Sequence, residues 1–210
     1  VALGNLVSNV ITVAIDKLKD LAQSAYDAYN AFDVGRDNLI KATGATGEAA
    51  EALTETYKNV SKQVAADMGS IGSAVGEVNT RFGYTGDKLE QASVAFLKFA
   101  DITGTDATRA VQLVSRAMGD AGVDSDDYAS VLDQLAVAAQ ASGIKLEKLA
   151  QYITQYGAPM RSLGFGMQES IALFAQWEKS GVNTEIAFSG MKSAISTWSK
   201  EGKDAKEMSS

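Results

Sequence analysis

Residues that interrupt a helix are almost missing from this sequence, and that shortage restricts the folds open to it. Pro159 is the single proline among 210 residues, whereas an average chain of this length carries about ten. Proline breaks helices more strongly than any other residue. Alanine, the best helix former, occurs 33 times. No long stretch alternates apolar and polar residues as a half-buried strand does. The sequence therefore predicts an all-α fold.

Glycines recur at nearly regular intervals in the later part of the chain. The intervals are 18, 18, 21, 21 and 17 residues, between Gly86, Gly104, Gly122, Gly143, Gly164 and Gly181. Each of the last four is followed by an apolar residue, two variable positions, and then an acid or glutamine. This pattern is typical of a left-handed glycine that closes one helix, with an acid near the positive N-terminus of the next. We predict an array of short helices of roughly 11 to 15 residues, joined by glycine turns.

Apolar residues at helical spacing predict that these short helices share one core. Six stripes are visible: Leu89, Ala92, Phe96 and Phe99; Ala110, Val111, Val114, Ala117 and Met118; Val131, Leu132, Leu135, Ala138 and Ala139; Leu146, Leu149, Ile153 and Tyr156; Ile171, Phe174, Ala175 and Trp177; Phe188, Met191, Ile195 and Trp198. We interpret their aromatic and methionine members as core residues.

A longer amphipathic helix precedes the array. Its apolar positions recur every three or four residues: Leu3, Leu6, Val7, Val10, Ile11, Ala14, Leu18, Leu21, Ala22 and Ala25. Residues 1–15 carry no charge, but they fall short of the roughly 20 apolar residues that span a bilayer. The stripe favours a buried or coiled helix face, and a truncated membrane-related segment is the alternative. We divide the chain into this helix (1–31), a helical core domain (32–198) and a charged linker or start of a further helix (199–210).

Helix boundaries between residues 43 and 82 are less regular. The run from Thr43 to Glu48 predicts a helix stop followed by a new start, and a helix from Glu48 to about Ala66 follows. After this helix, apolar residues again recur at helical spacing, but Gly69, Gly72 and Gly76 lie among them. Each glycine costs about 1 kcal/mol relative to alanine within a helix. We therefore expect a turn from Gly69 to Gly72, and we interpret the Gly72 and Gly76 pair as a close-packing contact or a loop.

Composition excludes most catalytic chemistry. The chain has no cysteine and no histidine, so thiol nucleophiles, thiolate zinc sites and the usual neutral-pH base are unavailable to it. The net charge of −7 argues against a phosphate-binding surface and specific nucleic-acid binding. We expect no enzyme activity, no cofactor and no metal. Because the chain begins with Val1 and ends in a charged tail, we also expect a piece of a longer protein.

Acidic side chains were the remaining candidates for a site. Asp120, Asp124, Asp126 and Asp127 do not have the spacing of a calcium loop, so we interpret the cluster as Asp124 or Ser125 capping a helix, with Asp126 and Asp127 in its first turn. The glutamates 147, 169, 178 and 185 do not form a plausible catalytic pair and are interpreted as helix-surface acids. Arg109 and Arg116 are expected to line a solvated face or to pair locally with Asp106 or Asp120. Gly164-Phe165-Gly166 follows no predicted strand and is not a dinucleotide loop. We assign no catalytic, cofactor-binding or metal residue.

Four stretches of sequence carry a resemblance to a known family. They are GEVNTRFGYTGDKLEQASVAFLKFA (76–100), TGTDATRAVQLVSRAMGDAGV (103–123), VLDQLAVAAQASGIKLEKLAQYITQYGAPMRSLGF (131–165) and EKSGVNTEIAFSGMK (178–192). The segment from about Gly76 to Ile195 resembles the core domain of tailed-bacteriophage tail tape measure proteins. GEVNTRFG and YGAPMRSLGF are the most specific runs.

This resemblance implies a structural virion component. It implies copies that run inside the tail tube during assembly, set tail length and leave ahead of the DNA at infection. Implied partners are the chain's own copies, as a trimer or hexamer, the tail tube and tail-tip proteins, and in some members the host membrane at ejection. The implied location is the tail lumen or tip, after assembly in the host cytoplasm. A membrane-active, pore-forming helical protein, in which the Val1–Ile15 helix inserts, remains the alternative.

Overall fold

Nine α-helices and one short 3₁₀ helix account for the part of the chain that the structure, a computed structural model, describes. That part is the backbone of residues 2–200, with side-chain surroundings for residue 17 and residues 19–194, 196 and 197. The elements are α1 (Ala2–Thr43), α2 (Gly47–Ser61), α3 (Met68–Phe82), α4 (Gly86–Thr103), α5 (Ala107–Ala121), the 3₁₀ helix (Ser125–Asp127), α6 (Tyr128–Ser142), α7 (Leu146–Ser162), α8 (Met167–Lys179) and α9 (Thr184–Lys200). The predicted all-α fold is confirmed.

The helices are arranged in two layers because each helix packs against the next but one in the sequence. In the first layer α1 contacts α3, α3 contacts α5, and α5 contacts α7. In the second layer α2, α4, α6 and α8 follow one another in the same way. At the end of the first layer α9 lies beside α7, where the rings of Phe188 and Tyr156 are 4.4 Å apart. The result is a stack of helix pairs, as in helical repeat proteins.

Glycines close most of these helices, as the sequence predicts. Gly104, Gly122, Gly143, Gly164 and Gly181 all have φ between 66° and 90°. The N–H of Val123 donates to the carbonyl of Met118 at 2.9 Å, and that of Phe165 to Met160 at 3.0 Å. These bonds satisfy carbonyls that a helix end otherwise leaves unpaired. Gly86 differs from the others, since it begins α4 while Gly83 closes α3.

The six predicted stripes supply most of the core. Ala139, Trp177 and Met191 are only half-buried, and the side chains of Ile195 and Trp198 lie outside the described residues. Every other member of the six stripes is buried. Phe96, Leu135, Ile153 and Phe174 are fully buried, so four of the stripes each contribute a large side chain to the same core.

The expected turn from Gly69 to Gly72 is wrong. α2 ends at Ser61, earlier than the expected Ala66, and the connection covers residues 62–67. Asp67 then caps α3 by accepting the N–H of Ser70 at 2.8 Å. All three glycines lie within α3. Their unfavourable helix propensity is offset because Gly72 and Gly76 allow α3 to pack directly on α1, which is the close-packing interpretation of that pair.

The long first helix is continuous from Ala2 to Thr43, where the predicted stop lies. The division of the chain at residues 31 and 32 therefore falls inside α1 rather than at a helix end. It coincides with a change in surroundings. Among the described side chains, residues 17 and 19–31 are all exposed, whereas Phe32, Gly35 and Leu39 pack against the helical stack.

Candidate functional site

The backbones of α1 and α3 are in direct contact. A Cβ atom added to Gly72 would overlap the carbonyl oxygen of Gly35 and lie 2.6 Å from its carbonyl carbon. Further along both helices in the same direction, a Cβ on Gly76 would lie 2.7 Å from the Cβ of Ala42. Because the paired positions increase together, the two helices run parallel. Only glycine permits this approach, and the crossing fixes the direction in which α1 leaves the stack.

A buried tyrosine in the second layer forms hydrogen bonds with both helices at this crossing. The Tyr57 hydroxyl, on α2, lies 3.1 Å from the carbonyl oxygen of Phe32 and 3.4 Å from that of Met68, and it donates to them. The Tyr57 and Phe32 rings are 4.8 Å apart. Burial raises the pKa of Tyr57 to about 12, and the nearby Asp67 carboxylate adds to the rise. One side chain therefore joins α1, α2 and α3.

Beyond the crossing, α1 projects from the stack and carries apolar side chains into solvent. Leu21 is 67% exposed and Tyr29 68% exposed. A helix with no tertiary packing is marginally stable in water, and exposed apolar side chains on it favour an interaction surface. We name residues 17–31 of α1 the projecting segment.

The acidic residues near 120–127 make structural contacts, one of them a local helix cap and others with residues of an earlier helix and turn. The Asp124 carboxylate accepts the N–H of Asp126 at 2.9 Å and caps the 3₁₀ helix, as predicted. Asp126 pairs with Lys88 and accepts the Tyr84 hydroxyl at 3.3 Å. The hydrogen bond from Lys88 lowers the pKa of Asp126. Among the described residues no group of acids is arranged to hold a metal ion.

The glutamates considered as catalytic candidates have separate structural contacts. Glu169 accepts the N–H of Gly166 at 2.6 Å and caps α8. Glu178 pairs with Lys148 and accepts the Tyr152 hydroxyl at 3.4 Å, which joins α7 to α8. The hydrogen bond with Glu178 raises the pKa of Lys148. The structure therefore does not bring these two carboxylates to one site.

The remaining candidates also lie apart. Glu147 is in the first turn of α7 and accepts the Thr105 hydroxyl at 3.4 Å, while Glu185 is in the first turn of α9. Arg116 pairs with Asp120 at 3.7 Å, as predicted. Arg109 contributes its backbone N–H to the Asp106 cap at 2.8 Å.

Sequence reasoning missed the α1–α3 crossing because Gly35 and Gly72 are 37 positions apart and look like helix breakers individually. A signal was present, however. In α1 the positions 18, 21, 25, 28, 32, 35, 39 and 42 follow steps of three and four without interruption, and all are apolar residues or glycine. That spacing is the heptad pattern of a coiled coil, and its last four positions meet the stack.

The described residues thus define an all-α domain of stacked helix pairs with a projecting helix. Within them, no helix is both long and apolar enough to cross a membrane. Residues 47–210 match the family of phage-related minor tail proteins. The chain belongs to that family and is a phage tail component. The match begins at the first residue of α2. Searches of curated proteins and of solved structures found no match to this chain.

Proposed function

We propose that this chain is part of a tail tape measure protein, which sets tail length inside the tail tube and leaves ahead of the DNA at ejection. The observation that carries the proposal is the family match over residues 47–210, to which the specific runs 76–83 and 156–165 add the tape measure resemblance. In this proposal the protein acts by contact between helices and performs no catalysis.

The partners follow from the same proposal. Copies of the chain associate as a trimer or hexamer, and they contact the tail tube and tail-tip proteins. The host membrane at ejection is a further partner in this proposal. The proposed location is the tail lumen or tip, after assembly in the host cytoplasm. A net charge of −7 suits a protein that shares a narrow tube with DNA, because like charges repel and specific nucleic-acid binding is disfavoured.

Tail length in mutant phage tests this function. An in-frame deletion is made in a helical part of the parent protein outside this chain, and tails are measured by electron microscopy. We expect tails to shorten by about 1.5 Å for each deleted residue, which is the rise of an α-helix. Tails of unchanged length would reject the proposal.

A matched control distinguishes an effect of the number of residues on tail length from an effect of the altered sequence on assembly. In the control, the deleted stretch is replaced by an unrelated helical sequence with the same number of residues. If residue count sets tail length, the replacement restores the original length although the sequence differs. Tails that stay short or fail to form with the replacement would show that the sequence, and not its length, matters.

A further inference from the structure

The exposed apolar face of the projecting segment continues a face of the same helix that is already buried. Phe32, Gly35, Leu39 and Ala42 meet α2 and α3. The same heptad positions, followed back toward the N-terminus, are Ala28, Ala25 and Leu21, and all three are exposed. We name these three residues the exposed seam. α3 begins at Met68, beside Gly35, so it cannot cover the exposed seam.

Charged side chains are sparse beside the exposed seam. The heptad positions that flank it include Ala22, Ser24, Tyr29 and Ala31, which are uncharged, and Lys17, one turn before Leu21, which is the one charged residue beside it. Lys19, Asp20 and Asp27 lie on the other side of the helix, where Asp27 accepts a hydrogen bond from Gln23 at 2.8 Å. Flanking charges select or repel partner helices in coiled coils. With a single flanking charge, at its N-terminal end, the exposed seam forms an apolar face that accepts an identical face with little repulsion.

The charge balance of the projecting segment favours another copy of itself. Two lysines and two aspartates give residues 17–31 no net charge, although the whole chain carries −7. Two projecting segments can therefore approach without net repulsion. The same balance gives little attraction to anionic lipid, which recruits helices that are rich in Lys and Arg.

We propose that the exposed seam packs against the exposed seam of a second copy of this chain, so that the projecting segments form a coiled coil. Small residues at positions 25 and 28 let the two helices approach closely, while Leu21 supplies a large apolar side chain at the contact. The inference deepens the proposed function, in which copies assemble with one another, by naming the segment that joins them. Its test is made in solution and is independent of tail length.

Two double variants test the proposal in the full chain. Ala25→Glu with Ala28→Glu places two acids on the exposed seam. The matched control, Gln23→Glu with Asn30→Glu, adds the same charge to the opposite side of the same helix. Molar mass is measured by size-exclusion chromatography with light scattering over a concentration series, and far-UV circular dichroism checks that both variants keep their helices.

We expect the unaltered chain and the control to associate, and the seam variant to need at least about tenfold more protein to reach the same mass. An unaltered chain that stays monomeric at all concentrations overturns the proposal. So does equal association of the seam variant and the control. Sedimentation with anionic phospholipid vesicles adds a further arm. A monomeric chain that binds vesicles, and loses binding in the seam variant, would assign the exposed seam to membrane and overturn self-association.

Discussion

Replacing Gly72 by alanine is the sharpest perturbation of the α1–α3 crossing. In an ordinary helix this change stabilises by about 1 kcal/mol, because alanine has the better helix propensity. At Gly72 the added Cβ would lie 2.6 Å from the carbonyl carbon and 2.9 Å from the Cα of Gly35. Both neighbours are backbone atoms, so no side chain can rotate away. The helices themselves must move apart.

The size of the effect follows from these distances. Carbon atoms pack at about 3.5 Å or more, so the helices must separate by at least about 0.9 Å at the crossing. A gap of that size forfeits a quarter to a half of the dispersion energy along the contact, and overpacking of this kind costs about 1–3 kcal/mol. We expect Gly72→Ala to be less stable by about 2 kcal/mol, which lowers Tm by roughly 4–8 °C in a chain of this size.

Gly119→Ala is the matched control. Gly119 lies inside α5, and a Cβ there meets nothing within 4 Å. The same chemical change should therefore raise stability by up to about 1 kcal/mol. Chemical denaturation of both variants, followed by circular dichroism, shows whether each substitution raises or lowers the free energy of unfolding. If Gly72→Ala were as stabilising as Gly119→Ala, the close approach of α1 and α3 would be refuted.

Two further predictions concern buried aromatic residues. Below pH 10 the Tyr57 hydroxyl keeps its proton in both the folded and the unfolded state, so the contribution of the buried hydroxyl to stability is fully present. As pH rises from 10 to about 12, only the unfolded state loses this proton, and the free energy of unfolding therefore falls. Denaturation at several pH values should give a decline steeper by up to about 1.4 kcal/mol per pH unit than in Tyr57→Phe, and parallel declines would contradict the buried hydroxyl. Phe174 is fully buried, with ring centroids 5.8 Å from Tyr152 and 6.0 Å from Tyr156, so Phe174→Ala should cost about 3–5 kcal/mol in the same assay. Val137→Ala, at a residue 66% exposed, should change stability by less than about 0.5 kcal/mol, and similar losses in both variants would count against the two-layer packing.

The helical fold could be predicted because its signals are local. A turn glycine and the apolar residue that follows it, such as Gly122 and Val123, lie next to each other in the sequence, and their geometry depends on one helix end. The apolar stripes likewise repeat within single helices. The capping role of Asp124 and the pair of Arg116 with Asp120 are also contacts between residues a few positions apart. The structure confirms the turn at Gly122, the Asp124 cap and the Arg116 pair, and it buries most of the stripe residues whose side chains it describes.

The expectations that were wrong depend on contacts between distant residues. Helix propensity correctly assigns a free-energy cost to each glycine in α3. It contains no information, however, on the α1 backbone that Gly72 contacts. The three-helix contact of Tyr57 likewise joins residues 25 and 11 positions away. The exposed seam was visible as spacing, yet only the structure shows where its covered part ends. Burial of one half of a helix by tertiary contacts cannot be read from the amphipathic pattern of that helix alone.

Quantitative mass spectrometry of purified phage, before and after DNA ejection, tests the proposed function most directly. Peptides from this chain are measured relative to peptides from the tail tube protein in the same particles. The account predicts that they are present in filled particles and lost from emptied ones, while the tube protein stays constant. Peptides that remain at the same ratio after ejection would contradict a tail-lumen protein that leaves ahead of the DNA.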